Sequence, residues 1–165
     1  MCKLASFWHN PSTGDIAVSI LDQHDETAKA LKLNEKVWRE GHYLPRGEIE
    51  CRVAPEDHIT QEECNARLKS RFPTFVYFLS WALEEICKNG KYDGSLYLSS
   101  LTSAAGLKLP REISGYLYLS SEVKAEYQAM IDKMKDKASR RKAKSETKTG
   151  TSRRLRMPGS SHNSV

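Results

Sequence analysis

The chain has 165 residues, 39% of them hydrophobic and 28% charged, which fits one ordinary globular domain with an appendage. No apolar run approaches the roughly 18 residues of a membrane span, and Met1-Cys2-Lys3-Leu4-Ala5-Ser6 offers no apolar core for a Sec signal, so a cytoplasmic protein is expected. The net charge of +5 hides an asymmetry: Lys133 to Val165 holds eleven basic residues and two acidic ones, a net +9, which leaves the rest at −4.

In chain order, Lys3 to Trp8 predicts a short strand. His9-Asn10-Pro11-Ser12-Thr13-Gly14-Asp15 is dense in turn formers, and Ile16 to Leu21 is apolar again, so the two make a hairpin. Asp25 to Leu33 reads as a short helix with Ala28, Leu31 and Leu33 inward, followed by a helical turn from Asn34 to Trp38 that Gly41 ends. Glu48 to Val53 alternates with period two, a half-buried strand covering Ile49, Cys51 and Val53.

Thr60-Gln61-Glu62-Glu63 has the form of a capping box and starts a helix to about Lys69 or Arg71. Pro73 interrupts it, giving a helical hairpin. From Thr74 to Lys88, Phe75, Leu79, Ala82 and Ile86 keep helical spacing, as do Val76, Leu79, Leu83 and Ile86, so this helix is expected at the centre of the core. Asn89-Gly90 ends it.

After Gly90 the sequence repeats. Gly94-Ser95-Leu96-Tyr97-Leu98-Ser99-Ser100 returns as Gly115-Tyr116-Leu117-Tyr118-Leu119-Ser120-Ser121, with six of seven positions identical at an offset of 21. Each unit alternates, with leucines on one face and Tyr97, Tyr116 and Tyr118 among those free for a partner. A period near 20 falls in the range of leucine-rich and related solenoid repeats. The run from Gly94 to Pro110 resembles the short leucine-rich-type repeats of phage and prophage proteins. Cys2 to Arg52, with His9-Asn10-Pro11 and Glu40-Gly41-His42-Tyr43, is similar to the α+β domain that precedes such repeats. The resemblance implies an interaction protein directed at a host protein or nucleoprotein complex, with anti-defence inhibition as one form. It carries over no catalytic residue. The chain departs from the pattern in lacking the laddering asparagine and in having only two units, which must therefore pack on the preceding domain or a partner.

Ser120 or Ser121 caps a last helix, whose Val123, Tyr127, Met130, Ile131, Met134 and Ala138 form a stripe that docks on the body or joins two copies as a homodimer. Past Lys144 the apolar spacing stops and Ser, Thr, Lys, Arg and Gly predict disorder to Val165. Lys133, Lys135, Lys137, Arg140, Arg141, Lys142, Lys144, Arg153, Arg154 and Arg156 are the candidate polyanion contacts. They suit a phosphate backbone, with salt-sensitive affinity and little base readout. A solvated helix end with a tail that only aids solubility is the plainer alternative. No aromatic or Leu interleaves the cations between Lys133 and Arg154, which argues against a membrane surface.

Cys2, Cys51, Cys64 and Cys87 are far apart and form no C-x-x-C, so free thiols are expected, with neither a metal site nor a cofactor. His9, His24, His42 and His58 read as surface histidines. Removal of Met1 would expose Cys2 as an N-terminal nucleophile with its own α-amine as base, which makes a small cysteine hydrolase the alternative to a non-enzymatic reading. The P-loop, dinucleotide, zincin and nucleophile-elbow signatures are all absent from the sequence.

The expected architecture is thus α+β. A small N-terminal sheet with packed helices (1–90) precedes a short solenoid-like repeat pair (91–121), a basic amphipathic helix (122–144) and a disordered tail (145–165).

Overall fold

A computed structural model describes residues 5–19 and 24–149. The chain is α+β, and by contacts it divides into two units, Met1–Tyr127 and Gln128–Val165.

In the first unit, β1 (Ser6–His9), β2 (Ile16–Ala17), β3 (Arg39–Tyr43) and β4 (Ile49–Cys51) form an antiparallel sheet in the order β2-β1-β3-β4. β1 and β2 make the expected hairpin, with Trp8 opposite Ala17. Its loop is closed by Asn10, whose backbone N–H donates to Asp15 O at 2.9 Å.

β3 corrects the sequence reading. The turn at Asn34 forms, but Gly41 is no helix stop. It sits inside β3 opposite Phe7, and a Cβ there would run into the Phe7 ring. Glycine at this position lets an aromatic side chain lie flat on the strand. Helix α1 (His24–Ala30) buries Thr27 and Ala28, but Leu31, expected inward, is 42% exposed.

The capping box is present as read: Thr60 N donates to a Glu63 carboxylate oxygen at 2.9 Å, and Glu63 N donates to Thr60 Oγ1 at 3.2 Å. It opens α2 (Gln61–Arg71), which packs on β4, and Asn65 accepts from Cys51 N at 2.9 Å. After Pro73 comes α3 (Phe75–Ile86). Phe78, Leu79 and Ala82 are fully buried, and Leu83 nearly so. Phe78 is the hub of an aromatic cluster, 5.4 Å from Phe7 and Tyr43 and 5.5 Å from Phe72 between ring centres. The Tyr43 hydroxyl donates to Phe72 O at 2.8 Å, so its polar end is satisfied inside the core.

The repeated segment forms two parallel strand pairs. β5 (Lys91–Tyr92) lies against β7 (Glu112–Ile113), and β6 (Leu96–Tyr97) against β8 (Leu117–Tyr118). Every paired residue meets its counterpart 21 positions on: Lys91 with Glu112, Tyr92 with Ile113, Leu96 with Leu117, Tyr97 with Tyr118. The sequence period is therefore the ladder register. Leu96, Leu98, Leu101, Ala104 and Leu107 are buried beneath it. Serines bridge the two coils in this chain, which lacks the laddering asparagine. Ser95 Oγ accepts from Tyr116 N at 2.9 Å, and Ser114 Oγ accepts from Gly94 N at 2.8 Å while donating to Asp93 at 3.0 Å. Gly94 and Gly115 touch backbone to backbone, since a Cβ on Gly115 would lie 2.6 Å from the Gly94 carbonyl carbon.

Ser80 joins α3 to this segment. Its Oγ lies 2.8 Å from Val76 O and 3.0 Å from Gly106 O, and accepts from Lys108 N at 2.9 Å. Helix α4 (Ser121–Thr149) begins in the first unit. There Val123 is 1% exposed, and the Glu126 carboxylate accepts from Ser103 Oγ and Ala104 N, each at 3.0 Å. The expected end at 144 is overrun. Lysine, arginine, alanine and glutamate favour helix here, and the Ser145 and Thr147 hydroxyls bond back to carbonyls of the preceding turn. No described helix is long and apolar enough to cross a membrane.

Candidate functional site

Two surfaces carry the sequence candidates. The first is the exposed part of α4 in the second unit. With 3.6 residues per turn, Lys133, Lys137, Arg140, Arg141 and Lys144 fall within an arc of roughly 100°. Lys135 and Lys142 point to the opposite side. All seven are exposed. The spacing of four, three, one and three residues keeps successive cations near one line, although composition alone showed only that cations were abundant. Arg140 pairs with Asp136 one turn back at 3.2 Å, with both side chains mostly in water. Such a pair holds its charges weakly, so it leaves Arg140 available to a stronger anion. Arg153, Arg154 and Arg156 lie outside the described residues.

The apolar stripe proposed for a homodimer is corrected at its first position. Val123 is buried within the first unit and is not free to meet another chain. Tyr127, Met130 and Ile131 are partly covered, and Met134 is 61% exposed.

The second surface is the outer face of the repeat. Tyr97, Tyr116 and Tyr118 are 61%, 73% and 44% exposed. The rings of Tyr97 and Tyr118 stack at 4.7 Å with planes 4° apart, and Tyr116 lies 6.2 Å from Tyr118. The 21-residue register places one ring over the other, so the sequence repeat makes a stacked aromatic platform.

The histidines do not all lie at the surface as read. His9 is buried, with Nε2 2.8 Å from Arg52 O, beside Cys64, Arg67 and Leu68 of α2. Burial holds its imidazole below the ordinary range, against the opposing pull of that carbonyl. The His24 and His42 rings meet edge to face at 4.9 Å, and burial, with His24 beside it, lowers His42. His58 is exposed, in a left-handed conformation with φ 52°.

Arg39 and Asp57 form a two-point pair at 2.9 and 3.1 Å, which sequence reading missed because the partners are 18 residues apart, with β4 between them. The Arg39 hydrogen bond holds the Asp57 carboxyl below its usual range. Asp57 also accepts from Ala54 N at 2.7 Å, so this group pins the loop after β4.

Cys51, Cys64 and Cys87 are buried free thiols. Burial pushes Cys51 up to about 12 and raises the other two, which keeps them protonated and poorly nucleophilic. Cys2 lies outside the described residues. Among the described residues, no cluster of three or more His, Cys, Asp or Glu side chains is placed to hold a metal ion.

Comparison with protein-family models, curated proteins and solved structures returns no match for this chain.

Proposed function

We propose that the protein is a non-enzymatic interaction protein that binds a polyanion, in the first instance duplex nucleic acid, through the cationic face of α4. The observation that carries this reading is the arrangement of Lys133, Lys137, Arg140, Arg141 and Lys144 along one exposed side of a helix. From Lys133 to Lys144 the helix rises roughly 16 Å, the axial length of about five phosphates on one strand. No aromatic side chain lies among these cations, so the contact is to phosphate and sugar rather than to stacked bases. Arg153, Arg154 and Arg156 add further charge by sequence.

The tyrosine platform is the surface for a protein partner. Rigid exposed aromatic rings provide contact area at little entropic cost. A host protein or nucleoprotein target, and a phage or prophage setting with an anti-defence role, follow from the sequence resemblance of the repeat alone.

The test is to move charge by face. Lys133, Lys137, Arg140 and Lys144 are changed together to Gln in one variant, and Lys135 and Lys142 in another. Fluorescence anisotropy with a labelled duplex should show at least a tenfold loss for the first variant and a smaller loss for the second. Equal loss per removed charge on the two faces contradicts a defined interface and leaves only diffuse attraction.

A further inference from the structure

The geometry points to a second copy of this chain as the occupant of the outer edge of β8, paired antiparallel about a two-fold axis through Leu117. This goes beyond the polyanion reading and does not depend on it, since it concerns the first unit alone.

The first coil of the repeat shows what covers such an edge. Leu96 is 2% exposed and Leu98 1% exposed, with β8 laid against β6. The equivalent Leu117, 21 residues on, is 39% exposed, and Leu119 is only partly covered. Among the described residues, β8 has a strand neighbour on one side only.

Hydrogen-bond direction then fixes the pairing. Tyr116 O accepts from Leu96 N and Tyr118 O accepts from Leu98 N, both at 2.8 Å. Those two carbonyls therefore face β6. Backbone alternation turns the N–H and C=O of Leu117 to the opposite, open side. A residue offering both groups outward can exchange both bonds with its own copy across a two-fold axis.

The side chains agree with that axis. Tyr116-Leu117-Tyr118 reads the same in both directions, so Leu117 meets Leu117 on one face while Tyr116 meets Tyr118 on the other. From Ile113 to Ser121 there is no charged residue and no proline. Natural edge strands are ordinarily guarded by one or the other, and here nothing of like charge opposes the copy within that stretch.

The test uses the full-length chain in sedimentation velocity across a concentration series. Wild type should form a dimer, Leu117→Lys should sediment as a monomer with an unchanged circular dichroism spectrum, and Met134→Lys on α4 should remain dimeric. Should Leu117→Lys fail to fold, Leu117→Cys in a Cys2→Ser background carries the test. Mild oxidation should cross-link it into a dimer, and Tyr97→Cys in the same background should stay uncross-linked. A wild type that is monomeric at every concentration overturns the proposal. So does a dimer that survives Leu117→Lys, one that Met134→Lys alone dissolves, or a Leu117→Cys chain that does not cross-link.

Discussion

At the scale of single residues, burial decides chemistry. Burial holds the His9 imidazole below its ordinary value of 6.5, the value at which the unfolded chain titrates. As pH falls, the unfolded state takes up the proton first. Stability is therefore complete above about pH 6.5 and declines below it until the folded imidazole is also protonated. His42 is shifted in the same direction and acts in the same window. Asp57, held below its ordinary value of 3.8 by the Arg39 hydrogen bond, adds a loss only in stronger acid. The urea midpoint should fall between about pH 7.5 and about pH 5.5, and an unchanged midpoint contradicts the burial of these rings. The same desolvation predicts that Cys51, Cys64 and Cys87 resist a thiol reagent in the native protein and react fully once unfolded, read by mass spectrometry after timed quenching. The covered position of Cys51 was legible in the period-two strand, but the burial of His9 was not. His9 looked exposed because it adjoins a turn, and only the strand's facing shows that the ring is covered.

At the scale of elements, legibility followed the length over which a signal accumulates. The capping box and the apolar spacing of α3 are local patterns, and both are realised as read. Leu79 lies at the centre of α3 with no exposure, so Leu79→Ala should cost about 2–5 kcal/mol, measured by chemical denaturation. The repeat was legible as a period, but its bridging was not. Ser95 and Ser114 stand at positions where only the folded register brings them to a facing backbone amide. Gly115 is required by close approach of two backbones, which no flexible side chain can relieve. Gly115→Ala should lower the denaturation midpoint at least as much as Leu79→Ala, and a neutral result contradicts the contact. β3 was misread because Gly41 ends helices as readily as it admits a neighbouring ring, and the deciding partner, Phe7, is far away in sequence. The end of α4 was misread because serine and threonine signal disorder by composition, whereas here their hydroxyls bond back into the helix.

At the scale of the molecule, net charge is divided along the chain. Residues up to Asp132 carry net −4 and supply the aromatic core and the tyrosine platform, while the cations collect from Lys133 onward. Sequence showed that segregation and the helix carrying it, whereas the alignment of Lys133, Lys137, Arg140, Arg141 and Lys144 emerges only when their spacing is laid on that helix. If five aligned cations meet a phosphate backbone, each contact releases counterions, and affinity must weaken with salt in proportion to their number. The most direct measurement is the affinity of the full chain for a short duplex across a salt series. The account predicts a straight line of log affinity against log salt with a slope of about −4 or steeper. A slope near zero, or the absence of duplex binding even at low salt, contradicts it.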